Sequence, residues 1–367
     1  MNVVCLNCGR PYPDTGAPYQ CPVCGGLFDD IESLTFGEVD LTHSGAPRQA
    51  QGGVWRYASS FGFTANPVSL GEGNTPLISA KAFGSEVYFK CEYANPTGSF
   101  KDRGTTTLVS FLLSRGVTEA AEDSSGNAGA SFAAYAARAG IKARVYIPES
   151  ASGPKRQQID MYGAEVIPVA GPRSNAADAV RRAAQNGMTY ASHAYLPFNL
   201  PGYATCAYEI VEQLGRAPGA VIIPAGQGGL LLGMGRGCQA LLNAGKIDKM
   251  PVIVGVQASA CAPLAALFAM GITGLNFVTE GATLAEGVRV RTPLRAKAVV
   301  EITRESGGRF TSVDEAFILS GRDALARLGF YVEPTSALIW RAMEETLPEL
   351  PDPVVAVLTG SGYKVRI

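Results

Sequence analysis

The sequence predicts an α/β protein with two doubly wound, mostly parallel sheets, preceded by a small zinc-ribbon-like segment with four cysteines. Three observations carry that expectation. From residue 67 onward short β-branched runs alternate with longer helical stretches, two Cys-x2-Cys pairs stand at the amino end, and 367 residues exceed one average domain. Apolar residues are 47% of the chain and charged ones 17%, so a sizeable core is available and disorder as the main state is excluded. Lys and Arg number 31 against 32 Asp and Glu, which leaves no basic excess for nucleic acid or an acidic membrane. Small-molecule chemistry is the remaining expectation.

Residues 1–28 form the ribbon. Cys5-x2-Cys8 and Cys21-x2-Cys24 are separated by twelve residues containing Gly9, Pro11, Pro13 and Gly16. Two residues between sulfurs let one tight turn aim both thiolates at one ion, and two such turns complete a tetrahedron with Zn–S bonds of about 2.3 Å. All four positions are then filled, so the zinc is structural. The alternatives are a metal-free remnant or a redox pair, and the few basic residues argue against a nucleic-acid role for the ribbon. Cys91, Cys206, Cys238 and Cys261 are isolated and read as buried apolar side chains.

Residues 29–66 mix Gly, Ser, Pro and acidic side chains with single aromatics such as Trp55, Phe61 and Phe63, and read as a connecting arm. No basic stretch followed by an apolar one opens the chain, which leads to a cytoplasmic expectation. The most apolar tract, 262–275, is broken by Pro263, Gly271 and Gly274 and is shorter than the about 20 residues a bilayer needs, so no membrane span is expected. Only His43 and His193 are present, which leaves little room for a Ser-His-Asp apparatus or a His-rich metal centre.

Strands are predicted at 86–91, 143–147, 165–169, 220–224, 251–257 and 354–359, and helices at 105–114, 128–139 before Gly140, and 335–346 after Pro334. That rhythm implies parallel sheets, which bind ligands beyond the carboxyl ends of their strands.

Three turns rich in Gly, Ser and Asn sit at such places. The first, Asn95-Pro96-Thr97-Gly98-Ser99-Phe100-Lys101-Asp102-Arg103-Gly104, puts Lys101 near a helix amino terminus. The helix dipole there disfavours an ammonium, which suits a Schiff-base lysine; pairing with Asp102 is the plainer alternative. The second, Ser124-Ser125-Gly126-Asn127, offers hydroxyls, an amide and helix-start N–H groups in a number that exceeds what capping requires. The third, Gly226-Gln227-Gly228-Gly229-Leu230, follows a strand. It is not a dinucleotide fingerprint, because the third glycine position holds Leu231, and it reads as a cup for one phosphate.

Together with a late Thr359-Gly360-Ser361-Gly362 turn, these features describe a pyridoxal phosphate pocket. The chain resembles the fold type II pyridoxal-phosphate enzymes, whose fold is that of tryptophan synthase β, and most of all the threonine synthases. The resemblance runs from Gly71 to Lys364 and includes Glu72-Gly73-Asn74-Thr75-Pro76-Leu77, the lysine motif and Gly202-x-x-Thr205. It implies that Lys101 carries the cofactor and shuttles protons at Cα, and that Phe100 packs on the ring. Asn127 holds the ring hydroxyl, Gly226, Gln227, Gly228, Gly229 and Leu230 hold the phosphate, and Thr359 faces the pyridine nitrogen. Ser99, Ser124, Ser125 and Gly126 take the carboxylate of a small amino-acid substrate. It further implies a homodimer engaged in threonine biosynthesis, with a large domain of 67–106 and 196–367 carrying Lys101 and a small mobile domain of 107–195 carrying Asn127.

The chain departs from the resemblance in places. The family pattern has an arginine before Gly202 where this chain reads Ser192-His193-Ala194-Tyr195, and Ser361-Gly362-Tyr363-Lys364 stands where His-Gly-Leu-Lys is common. Thr283-Leu284-Ala285-Glu286-Gly287-Val288 resembles amino-acid dehydratases. A threonine/serine dehydratase or another β-eliminating or β-replacing enzyme is therefore the alternative, and a non-catalytic protein binding the same cofactor and zinc is a third reading. Arg103, Lys155, Arg156 and Lys364 are the candidates for the missing charge.

Overall fold

A computed structural model describes residues 1–32, 34–37, 52–151 and 153–365. His43 and residues 38–51 of the expected connecting arm lie outside the described residues. In chain order the strands are β1 (Val3–Cys5), β2 (Phe28–Asp30), β3 (Leu77–Ala82), β4 (Ser85–Lys90), β5 (Glu119–Glu122), β6 (Lys142–Pro148), β7 (Glu165–Val169), β8 (Thr189–Tyr190), β9 (Ala220–Pro224), β10 (Val252–Ala258), β11 (Arg309–Val313) and β12 (Val354–Val357). The helices are α1 (Lys101–Ser114), α2 (Asn127–Ala139), α3 (Pro154–Met161), α4 (Arg173–Gln185), α5 (Leu200–Leu214), α6 (Gly229–Asn243), α7 (Pro263–Met270), α8 (Ala296–Glu305), α9 (Ile318–Arg327) and α10 (Pro334–Thr346). None is long and apolar enough to cross a membrane among the described residues.

The chain divides into two compact units, Met1–Gly73 with Asn95–Gly202 and Lys364–Ile367, and Asn74–Ala94 with Tyr203–Tyr363. The first unit contains the antiparallel β1–β2 ribbon and a four-stranded parallel sheet in the order β7-β6-β5-β8. Chain order reverses between β5 and β8, which is the place where such sheets leave a crevice at their carboxyl edge. The ribbon is packed onto this unit by aromatic rings. Tyr12 meets Phe28, Phe198 and Phe111 at ring-centre distances of 4.7, 5.0 and 6.0 Å, Phe111 stacks on Phe198, and Tyr19 lies edge-on to Tyr190 and Tyr195. Arg115 at the end of α1 adds a hydrogen bond to the Pro13 carbonyl.

The second unit has a six-stranded sheet in the order β11-β10-β9-β12-β4-β3, parallel apart from the β3–β4 hairpin. Its central strands β9 and β12 read as continuous apolar runs and are buried along their whole length, because helices cover the sheet there. The reversal of chain order falls here between β9 and β12.

The sequence expectation puts Lys101 in the larger domain with residues 196–367. In the structure it belongs with the four-stranded sheet, since α1 is buried over most of its length and its Asp102 is hydrogen-bonded to Ser131 on α2.

Candidate active site

α1 begins at Lys101 itself, four residues before the position that apolar spacing indicates. Asp102, in the first turn and fully buried, accepts hydrogen bonds from the Thr97 N–H (2.7 Å), the Thr97 hydroxyl (2.6 Å) and the Ser131 hydroxyl (2.6 Å). These bonds fold the loop back over the helix start and fix the turn that presents Lys101. Asp102 therefore does not act as the surface partner of Lys101. Burial lifts its carboxyl to about 6, against the lowering effect of Ser131, Thr97 and Lys364. Lys364 donates to the Thr97 carbonyl (2.6 Å), so the carboxyl-terminal segment ties the same loop. The Lys101 ammonium lies 4.9 Å from the centre of the Phe100 ring. Ser99 is fully buried, and its hydroxyl has no hydrogen-bond partner among the described residues.

Beyond β5 come Ser124, Ser125, Gly126 and Asn127, and Asn127 opens α2. Gly126, at the N-cap, has no side-chain cap, so the first N–H groups of α2 are not met by a capping side chain. The turn lies tight against the helix: a side chain at Gly129 would drive its first carbon into the Ser124 carbonyl oxygen. In this unit, Ser99 and Lys101 lie at the amino end of α1, and the 124–127 turn at the amino end of α2.

In the second unit the glycine cup joins β9 to α6. Gly228 is the N-cap in the left-handed conformation (φ +78°), with no side-chain cap and no acidic residue in the first helical turn. That leaves N–H groups and the positive end of a 15-residue helix for an anion. Gln257, buried on β10, donates to the Ala225 carbonyl (3.0 Å), and the Leu294 N–H donates to Gln227 Oε1 (3.2 Å), which steadies the cup. Across the β9–β12 reversal Thr359 is buried, its hydroxyl 2.9 Å from that of Ser336. This donor set, an anion cup at a helix start and a neutral hydroxyl rather than a carboxylate, fits pyridoxal phosphate.

The four ribbon cysteines carry no disulfide, and their sulfurs all lie within 4.8 Å of one another. Four sulfurs about 2.3 Å from one ion at tetrahedral angles stand about 3.8 Å apart. The Cys5–Cys24 and Cys8–Cys21 separations are 3.5 and 3.7 Å, so the arrangement fits zinc. The Gly26 backbone N–H, followed by the side chains of Asn7 and Cys8, lowers the Cys24 thiol to about 6. Cys8, against the lowering effect of the Arg10 backbone, is pushed up to about 12 by Cys24 and the other sulfurs, so the four sulfurs share protons that a metal would displace.

Residues 68–360 match the family described as pyridoxal-phosphate dependent enzyme, and the chain belongs to that family. Within it, the chain is 35% identical to a threonine synthase of Methanocaldococcus jannaschii, covering 98% of this chain and 92% of that protein. It is 36% identical to a threonine synthase of Mycobacterium tuberculosis, over 81% of this chain and 84% of the relative. Among solved structures, maize serine racemase shares the fold with a TM-score of 0.69 at 22% identity, over 80% and 89% of the two chains. A T.th. threonine deaminase has a TM-score of 0.65 at 26% identity, over 80% and 93%.

Of the cations proposed for the missing charge, Arg103 is fully buried, Lys364 is committed to Thr97, and Arg156 donates to the Ala151 carbonyl. Glu122, His193 and Arg173 carry electrostatics that the sequence pattern does not connect. Glu122 Oε1 and His193 Nδ1 are 2.5 Å apart, and the Arg173 charge acts on both side chains.

Proposed function

We propose that the chain is a threonine synthase, a lyase that converts O-phospho-L-homoserine and water to L-threonine and phosphate. The observation that carries the reading is likeness to threonine synthases along almost the whole chain, joined to a lysine turn built for covalent chemistry. Pyridoxal phosphate, when bound, draws electrons from the substrate's Cα and so makes its hydrogen acidic.

The chain's own residues do the rest. The Lys101 amine takes the Cα proton, would pass it to the bound cofactor so as to be free to take the Cβ proton, and then returns protons at Cγ and Cα in turn, while Phe100 lines its surroundings. Ser99, Ser124, Ser125 and Gly126 receive the substrate carboxylate, using the buried Ser99 hydroxyl and the start of α2. Asn127 holds the cofactor's ring hydroxyl, the amides of Gly226, Gln227, Gly228, Gly229 and Leu230 hold its phosphate, and Thr359 faces its ring nitrogen. A neutral hydroxyl there draws less charge into the ring than an aspartate would, which suits elimination and replacement beyond Cα. Cys5, Cys8, Cys21 and Cys24 hold one structural zinc.

The dehydratase reading has support in the fold shared with a threonine deaminase. Purified protein given O-phosphohomoserine should release phosphate and threonine one to one, and Lys101→Ala should lower that rate by about 10³-fold. Formation of 2-oxobutyrate from L-threonine without phosphate release from O-phosphohomoserine would favour the dehydratase. Borohydride reduction followed by peptide mass mapping should mark Lys101, and a mark on another lysine overturns the site.

A further inference from the structure

Glu122 and His193 have no part in the roles assigned above, yet they occupy the crevice position of the first unit. Glu122 ends β5, His193 follows β8, and the chain order reverses between these adjacent parallel strands. The Ala191 N–H donates to the Ala121 carbonyl (2.8 Å), which sets the two strand ends side by side. His193 Nδ1 stands 2.5 Å from Glu122 Oε1, and the Asn199 side-chain amide donates to the His193 carbonyl (2.6 Å), holding the loop. The Glu122 side chain is 1% exposed and that of His193 14%. Glu122 Oε2 is buried with no hydrogen-bond partner among the described residues. One imidazole nitrogen is thus fixed by a buried carboxyl while the ring keeps an edge towards solvent, as in an oriented acid–base histidine.

The groups facing this pair are Lys101 on α1, Arg173 on α4, and Asp123 after β5, which itself accepts a hydrogen bond from the Tyr190 hydroxyl on β8 (2.8 Å). Two cations in reach disfavour a metal ion in the Glu122, Asp123 and His193 cluster. Burial raises Glu122 to about 8, and burial with the Lys101 charge keeps His193 well below its usual range. At neutral pH the pair is therefore a carboxylic acid against a neutral ring, with the Glu122 O–H on Nδ1 and the ring proton on Nε2.

We propose that Glu122 and His193 form a proton relay that protonates the departing phosphate of the substrate and recovers the proton from the water that replaces it. This rests on the threonine synthase reading. As the Cγ–O bond breaks, its electron pair goes to the oxygen, Nε2–H gives that oxygen its proton, and the Glu122 proton moves to Nδ1. Phosphate leaves as the hydrogen phosphate dianion instead of the far poorer trianion. Water then adds its hydroxyl at Cβ, its remaining proton goes to Nε2, and the Nδ1 proton returns to Glu122. The carbon-bound protons pass through Lys101, which would leave the Cα proton on the bound cofactor while it takes the one at Cβ, and the relay ends as it began.

The test uses holoenzyme carrying Glu122→Gln, His193→Gln or His193→Gly, with phosphate release from O-phosphohomoserine followed against pH. In parallel, exchange of the Cα hydrogen of L-2-aminobutyrate for deuterium reports Lys101 and the cofactor without any leaving group. Expected is a fall in kcat for phosphate release of about 10²–10⁴-fold in the variants, with Cα exchange within about threefold of the parent. The wild-type rate should decline as pH rises through about 8, where Glu122 loses its proton, and Glu122→Gln should lack that limb. Added imidazole should restore phosphate release to His193→Gly. Variants that release phosphate within about threefold of wild type overturn the relay, and so does parallel loss of exchange and release, which marks a structural role. Wild-type protein that exchanges Cα hydrogen yet never releases phosphate overturns the threonine synthase reading, and the relay with it.

Discussion

Gly228→Ala isolates the phosphate cup. At φ +78° an alanine carries about 1–2 kcal/mol of left-handed strain. Its methyl carbon would also stand 2.6 Å from Val299 Cγ2 and 3.0 Å from Cγ1. Ordinary carbon contacts lie near ~3.5–4.0 Å, so the cup or the Val299 wall must retreat by about 1 Å. N–H···O bonds span only about 2.7–3.2 Å, and a retreat of that size breaks those made by the amides on either side. Two bonds to a charged phosphate at about 1.5–3 kcal/mol each give about 3–6 kcal/mol, a rise in the pyridoxal phosphate Kd of about 10²–10⁴-fold. Absorbance titration of cofactor-stripped protein measures it. Val299→Ala combined with Gly228→Ala removes both γ-carbons, leaves the strain and a milder 3.3 Å contact with the remaining β-carbon, and should recover at least about tenfold in Kd. A single variant that binds within about threefold of the parent, or a double variant no better than the single, refutes the steric argument.

Asp102 and the ribbon give two more tests. The folded-state carboxyl of Asp102 is raised from 3.8 to about 6. Its protonated form is favoured by folding, and that stabilisation is complete below pH about 4 and lost as pH rises through about 6, amounting to about 3 kcal/mol. In urea unfolding, wild type should lose that much stability relative to Asp102→Asn between pH 4 and 7; a constant difference refutes the assignment. Cys8→Ser should abolish bound zinc, one ion per chain in the parent, and lower Tm by about 4 °C or more. A parent protein free of zinc with an unchanged Tm in the variant refutes the metal.

The fold class is legible in the sequence where local chemistry agrees with the final structure. The β7 and β9 bounds coincide with the expected strands because Glu165–Val169 and Ala220–Pro224 are apolar runs with β-branched residues. β5 escapes the sequence pattern because Glu-Ala-Ala-Glu carries no strand preference; pairing between β6 and β8 makes it one. The helix at Lys101 begins early because Asp102 anchors Thr97, a contact that apolar periodicity does not register. The lysine turn and glycine cup are legible because each is a contiguous run of unusual residues. Glu122 and His193 are not, since 71 residues separate them and only strand order places them together. The paucity of histidines leads away from His193, whose surroundings rather than its number give it acid–base character.

The rings of Tyr12 and Tyr19 limit how this chain can be shortened. Phe111, Phe198 and Tyr190 are nearly buried, in part beneath those two tyrosines. A fragment begun at residue 67, where the family match nearly starts, would bare those faces to water and expose the outer side of the helix that bears Lys101. Such a fragment is expected to clump or to need replacement polar residues at 111 and 198, so the cysteine-bearing end behaves as a wall of the catalytic body and not as a detachable tag.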